Sequence, residues 1–320
     1  MSERASRVQH FPISFFAMVM GLAGLTLAWE KGAVVLALAV RPTPYLLALT
    51  ALVFAGLLLA YAGKWLRYPQ AALAELRHPI RLSFAPTLSI SLILLGTASL
   101  HLAPALSHGL WLLGSGLHLL FTLYVMGAWI HQEHFEIQHM NPAWFIPVVG
   151  NILVPIAGMA HGYPELSWFC FSIGLLFWLV LLTIFFNRVI FHHPLPERLM
   201  PTLFILIAPP AVGFVSYVAL SGAVDAFARV LYYAGLFLTV LLLSQLRYFL
   251  RLRFFLSWWA YSFPLAAITV ASFVMAQRVG GAVFEGIALA LLALLSGVVA
   301  LLLVLTARAA LAGRICVEEG

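Results

Sequence analysis

The sequence predicts an all-α integral membrane protein, and three observations predict it. Of the 320 residues 63% are hydrophobic and only 9% charged, whereas a soluble domain carries about 25% charged residues. Ten apolar runs have the length, roughly 20 residues, that a helix needs to cross the hydrocarbon layer. Prolines recur inside alternate runs, an arrangement suited to a bundle in which inner and outer helices alternate. Ten such helices take about 200 residues and leave roughly 11 for each connection or tail. That excludes a soluble catalytic or regulatory head, so residues 1–320 are read as a single transmembrane domain.

The runs fall at about 11–30, 44–64, 83–103, 108–130, 143–161, 165–187, 199–220, 227–247, 256–277 and 283–308. The first follows a polar stretch without a small-residue cleavage site, so it is read as a retained helix rather than a signal peptide. An even number of crossings puts both termini on one side. The basic residues choose that side: Arg4, Arg7, Lys64, Arg67, Arg77, Arg81, Arg188, Arg198, Arg247, Arg251, Arg253, Arg308 and Arg314 share one face. Only Lys31, Arg41, Arg229 and Arg278 lie on the other. The positive-inside rule makes the first face cytoplasmic, giving a multi-pass protein of the cell inner membrane. The net charge of +6 thus reads as a topology signal, and no nucleic-acid partner is expected.

The odd-numbered runs contain Pro12, Pro86, Pro147 with Pro155, Pro201 with Pro209 and Pro210, and Pro264. In the even runs Pro44 and Pro164 stand only at the starts. A proline inside a helix removes a hydrogen bond, and the freed groups need protein or water around them. Pro155, Pro210 and Pro264 are therefore expected to kink helices that line a central pore, with the even helices outside. Their near-equal spacing predicts a helical hairpin repeated five times.

The odd runs hold no Asp, Glu, Lys or Arg at hydrocarbon depth. An ion-coupled pump or a cation channel commonly shows such groups. What remains is small and mildly polar: Ser89, Ser91, Thr97, Asn151, Ser216, Ser262, Thr269 and Ser272. Of these Ser89, Asn151, Ser216 and Ser262 are pore-lining candidates, because hydroxyls and amides can donate to an anion without holding it tightly. The alternative for each is a hydrogen bond between helices. His118, at mid-depth in the fourth run, has no second mid-depth histidine to share a haem with and reads as a packing residue. His131, Glu133, His134, Glu136 and His139 include ligand types but lack a strict zinc spacing, so a solvated turn is expected. Cys170 and Cys316 give neither a disulfide framework nor a metal pair. No catalytic residue, metal site or cofactor is expected, since no glycine-rich phosphate loop and no nucleophile elbow occur.

Several segments carry a resemblance: Phe11-Pro12 leading to Gly21-Leu22, His78-Pro79-Ile80-Arg81-Leu82-Ser83-Phe84, Asn141-Pro142 through Pro147 to Asn151, Ile207-Ala208-Pro209, and Trp259-Ala260-Tyr261-Ser262-Phe263. Their order and spacing resemble the family that joins the bacterial tellurite-resistance protein TehA, fungal malate and sulfite transporters, and the plant slow-type anion channel. The resemblance implies ten helices in five quasi-repeated hairpins, odd helices around a pore in each subunit of a homotrimer, and passage of small anions. It also implies a pore-blocking phenylalanine on the ninth helix, which by position is Phe263. Pro264 beside it cannot donate to the carbonyl of Ala260, so the helix can bend there. Where relatives have a glycine and a proline in the first helix, this chain has Ala17 and Val19. Ala17 becomes a further pore-lining candidate, one whose methyl narrows the space into which Phe263 could swing.

The expectation is therefore a passive channel or uniporter for small anions such as chloride, nitrate or tellurite and other oxyanions, gated by Phe263. The alternative is a proton-coupled carrier exporting dicarboxylate, sulfite or tellurite, with His118 as its critical residue. A purely structural scaffold would need no ring of broken helices.

Overall fold

A computed structural model of the chain describes residues 7–133 and 135–316, so Arg4 and His134 lie outside the described residues. Among these, nine helices are long and apolar enough to cross a membrane. They are α1 (Ile13–Val35), α2 (Thr43–Arg67), α3 (Arg81–Ser99), α4 (Pro104–His131), α6 (Pro164–Phe191), α7 (Glu197–Ser221), α8 (Ala226–Ser244), α9 (Leu256–Arg278) and α10 (Ala282–Leu311). Between α4 and α6 lies a shorter apolar element, α5 (Pro142–Gly158). It alternates two 3-10 turns with two short α segments, because Pro142, Pro147 and Pro155 interrupt the α ladder. A 3-10 residue rises about 2.0 Å against 1.5 Å in an α-helix, so α5 reaches about 29 Å, close to the hydrocarbon thickness.

The odd helices form the inner layer. α1 packs on α3, α3 on α5, α5 on α7, α7 on α9, and α9 closes the ring on α1. Each even helix packs on the odd helix before it and touches the one after, with α10 returning to α1. This is a helical hairpin used five times. In the long odd helices at least 67% of the most apolar stretch is buried, against at most 39% in the even ones, so the even helices form the outer layer. Closure of the ring depends on small residues. A Cβ on Gly21 would strike the Ser262 side chain, and one on Gly24 would lie 2.6 Å from the Ala266 Cβ. These two glycines let the α1 and α9 backbones meet.

The odd helices share a second feature. Each of the four long ones begins as a 3-10 helix and becomes α-helical at Phe16, Thr87, Ala208 or Ser262; the last α segment of α5 begins at Val154. The prolines sit at these junctions. Pro86 is the cap of the α segment of α3, Pro155 is the second residue of its segment, Pro209 and Pro210 the second and third, and Pro264 the third. The first residues of an α segment need no intrahelical partner for their N–H groups, so proline is tolerated there. Pro155, Pro210 and Pro264 thus mark a change of helix type, where the sequence suggested kinks within a continuous helix.

Candidate functional site

The five odd helices enclose two cavities in series. The first, of about 80 Å³, is bounded by residues that include Ala17, Thr87, Phe145, Gly150 and Ala260; a cavity of this size has room for about five waters. The second, of about 30 Å³, is bounded on α1 by Gly24 and Leu27 and on α9 by Ala266 and Val270. Leu153 of α5, Val212 of α7 and Phe263 of α9 face both cavities. The ring of Phe263 rests beside Gly24, whose absent side chain leaves it room.

Among the described residues no charged side chain stands in the wall of either cavity, and Thr87 supplies the one hydroxyl. It donates to the Phe84 carbonyl at 2.6 Å. The indole N–H of Trp259 points outward to Thr306 Oγ1 of α10 at 3.0 Å.

Of the five lining candidates, Ala17 borders the first cavity, whereas Ser89, Asn151, Ser216 and Ser262 are buried in helix contacts outside both walls. Ser89 Oγ donates to the Pro86 carbonyl at 2.8 Å, and Ser262 Oγ to the Trp259 carbonyl at 2.6 Å. Asn151 Nδ2 donates to the Val148 carbonyl at 2.8 Å and to Thr122 Oγ1 at 2.9 Å. Thr122 in turn donates to the Pro147 carbonyl at 2.7 Å. Ser216 donates to the Ile152 carbonyl, and the Trp111 indole to that of Val154 at 2.9 Å. All of these side chains are buried, and a buried hydroxyl or amide takes the nearest backbone carbonyl as its partner. Ser91, Thr97, Thr269 and Ser272 likewise bond carbonyls one turn back.

His118 lies outside the α5 backbone. Its Nδ1 is 2.9 Å from Ser89 Oγ, and its Nε2 has no hydrogen-bond partner among the described residues. Because the Ser89 hydroxyl proton is committed to Pro86, Nδ1–H is the donor of that pair. A Cβ on Gly150 would lie 2.7 Å from His118 Nε2, so Gly150 turns its missing side chain toward the imidazole while its backbone bounds the cavity. Val19 packs in a separate cluster with Phe16, Tyr61 and Leu95.

The start of α1 is anchored from outside the ring. Glu75, on the short helix Pro69–Arg77, accepts the Ile13 N–H at 2.8 Å and pairs with Lys64 at 2.9 Å. Lys64 also donates to the Phe11 carbonyl at 2.9 Å. This buried ion pair fixes the turn that leads to Ala17. In the loop after α4, Glu136 and His139 cap one another's backbone. No group of three metal-ligating side chains gathers among the described residues.

Sequence reasoning missed Leu153 and Val212, two of 63% hydrophobic residues with no marking pattern. The only signal available was their place beside a proline junction.

Residues 10–307 match the family described as SLAC1, voltage-dependent anion channel. An uncharacterized transporter of Methanocaldococcus jannaschii is 30% identical over 304 residues, which cover 86% of this chain and 87% of that protein. The tellurite resistance protein TehA homolog of Haemophilus influenzae is 28% identical over 264 residues, 80% of this chain and 79% of its own. The guard cell S-type anion channel SLAC1 of Arabidopsis thaliana is 26% identical over 316 residues, 92% of this chain but 55% of the plant protein. The chain thus spans about half the length of the plant channel and nearly all of the archaeal protein. With a ring of five odd helices, four of them interrupted by proline, and a match that runs from residue 10 to residue 307, this chain is a member of the SLAC1 family.

Proposed function

We propose that the protein is a passive channel or uniporter for small anions, closed at rest by Phe263 together with Leu153 and Val212. The observation that carries this reading is the pair of cavities in one helix ring, meeting at those three side chains. An apolar collar across a narrow tube excludes water, and an ion that cannot keep its hydration does not pass. Moving the Phe263 ring aside joins the two cavities.

The sign of the ion rests on the relatives described as anion channels and on the walls, in which no acidic side chain stands among the described residues. Chloride, nitrate and tellurite or other oxyanions are the proposed cargo. An interior-negative membrane favours anion exit, by about 2.3 kcal/mol per charge for 100 mV.

Ten crossings complete the proposal: α5 spans with the nine long helices, both termini face the cytoplasm, and the protein sits in the inner membrane as a homotrimer with one pore per subunit. A proton-coupled carrier would depend on His118. That imidazole lies behind the α5 backbone at Gly150, out of reach of a substrate in the cavity, which favours the passive reading.

The test is anion flux in liposomes for wild type and Phe263→Ala in chloride, nitrate and malate. A large rise in the variant, with reversal potentials that follow the anion gradient, supports the pore. Saturable, pH-driven uptake lost in His118→Gln, with no rise in Phe263→Ala, overturns it in favour of the carrier. Native mass spectrometry of the detergent-solubilised protein reads the trimer directly.

A further inference from the structure

At the end of the bundle remote from the chain termini, two imidazoles from different elements face each other. His108 stands in the first turns of α4, and His161 in the turn between α5 and α6. Their ring centroids are 5.1 Å apart with the planes tilted by 41°. Two imidazoles on one tetrahedral ion, each with a metal–nitrogen bond of about 2.0–2.1 Å, place their centroids about 5 Å apart. The observed separation matches that spacing.

The hydrogen bonds prepare the same nitrogen on both rings. His161 Nε2 is 3.0 Å from Ser107 Oγ, and Ser107 spends its own proton on the Gly96 carbonyl at 2.7 Å. Ser107 can therefore only accept, so His161 carries its proton on Nε2 and leaves the Nδ1 lone pair free. His108 Nε2 is 3.0 Å from Tyr163 Oη, which can accept the corresponding proton. Histidines that bind metal commonly donate their other N–H to a fixed partner in this way. Trp111, its ring tilted against those of His161 and Tyr163, walls the pair on one side.

We propose that His108 and His161 bind a late divalent transition-metal ion of the zinc class through both Nδ1 atoms, with Tyr163 and Ser107 holding the rings. Imidazole suits zinc, copper and nickel, whereas magnesium and calcium take oxygen ligands. Since no third metal-ligating side chain joins the pair among the described residues, water or an added anion fills the remaining positions. The ion would tie the first turns of α4 to the α5–α6 turn. Through the Ser107 bond to Gly96 it would also stiffen the end of α3. The site is separate from both cavities and does not depend on the transport reading.

The test is titration of the purified full-length protein in nanodiscs with Zn2+, followed by calorimetry, with Mg2+ as the control ion. One Zn2+ per chain is expected, and a melting temperature that rises with Zn2+ and not with Mg2+. His108→Gln and His161→Gln should each weaken binding at least about tenfold, and Tyr163→Phe, which keeps both ligands, by about 10–100-fold. His101→Gln and His139→Gln should bind as wild type does. Melting without metal verifies that each variant is folded, and Ser107→Ala replaces His161→Gln should the latter melt early. Wild-type affinity retained in the folded His108 and His161 variants, or loss of binding in His139→Gln instead, overturns the proposal.

Discussion

Phe263 is one of 24 phenylalanines in the chain, and nothing about the residue type sets it apart. Its position does: it shares two cavities with Leu153 and Val212. If all three form the barrier, Phe263→Ala should raise anion flux at least about tenfold, the effect of lowering a barrier by about 1.4 kcal/mol. Leu153→Ala should give a smaller rise, and the two together more than either. Liposome flux assays read all three, and a Leu153→Ala flux equal to wild type removes that side chain from the collar. The Lys64–Glu75 pair makes a prediction of a different kind. Glu75→Leu leaves a buried ammonium without its counter-charge, a loss of about 3–5 kcal/mol. The double variant Lys64→Met with Glu75→Leu should recover part of it. Recovery is incomplete because the Ile13 N–H and Tyr61 hydroxyl still lose their acceptor. Thermal melts of wild type and the two variants measure this.

At the scale of elements, the 3-10 to α junction explains Pro86, Pro155, Pro209, Pro210 and Pro264, which sit at the cap or in the first three residues of an α segment. The small residues where α1 meets α9 answer to close approach instead. Gly21→Ala should destabilise by about 1–3 kcal/mol, the usual cost of overpacking, because the methyl meets Ser262. A melting temperature equal to wild type would mean that α1 and α9 can part. The outer helices obey ordinary rules. Asp225 caps α8, accepting the Ala228 N–H at 2.9 Å and the Tyr217 hydroxyl at 2.6 Å. Those bonds, the backbone one foremost, hold its carboxyl below the usual value of 3.8. The folded value is the lower one, so the contribution is complete above pH 3.8 and fades as pH falls through the folded value. Asp225→Ala should lower the melting temperature at neutral pH through loss of the cap, with the difference vanishing in acid melts.

For the whole molecule the arrangement is an inner ring that holds the cavities and an outer ring of apolar, less buried helices. Orientation is open to direct measurement. In a background of Cys170→Ala and Cys316→Ala, right-side-out vesicles carrying Ala223→Cys should react with a membrane-impermeant maleimide. Those carrying Arg251→Cys should not. Both positions are exposed, so protection reports the membrane rather than the fold; the reverse pattern would invert the topology. The native thiol is a poorer reporter, since burial pushes Cys316 up to about 11.

The sequence by itself determined the class of protein, the apolar runs and the alternation of proline-bearing and proline-free helices. These are properties of local composition: hydrophobic length, basic residues at helix ends and backbone donors removed by proline all act within a few residues. Family likeness, carried by stretches such as Trp259-Ala260-Tyr261-Ser262-Phe263, singled out the gate candidate where composition could not. Only the tertiary structure decided what the polar side chains do. Ser89 and Ser262 could have faced a pore or a carbonyl, and which one they face depends on the rotation of each helix after its 3-10 turn. The same holds for Leu153 and Val212, whose common place beside Phe263 is a contact among three helices far apart in the chain. A hydroxyl on a helix finds a carbonyl within one turn of its own element, and that local bond turns the hydroxyls away and leaves an apolar wall.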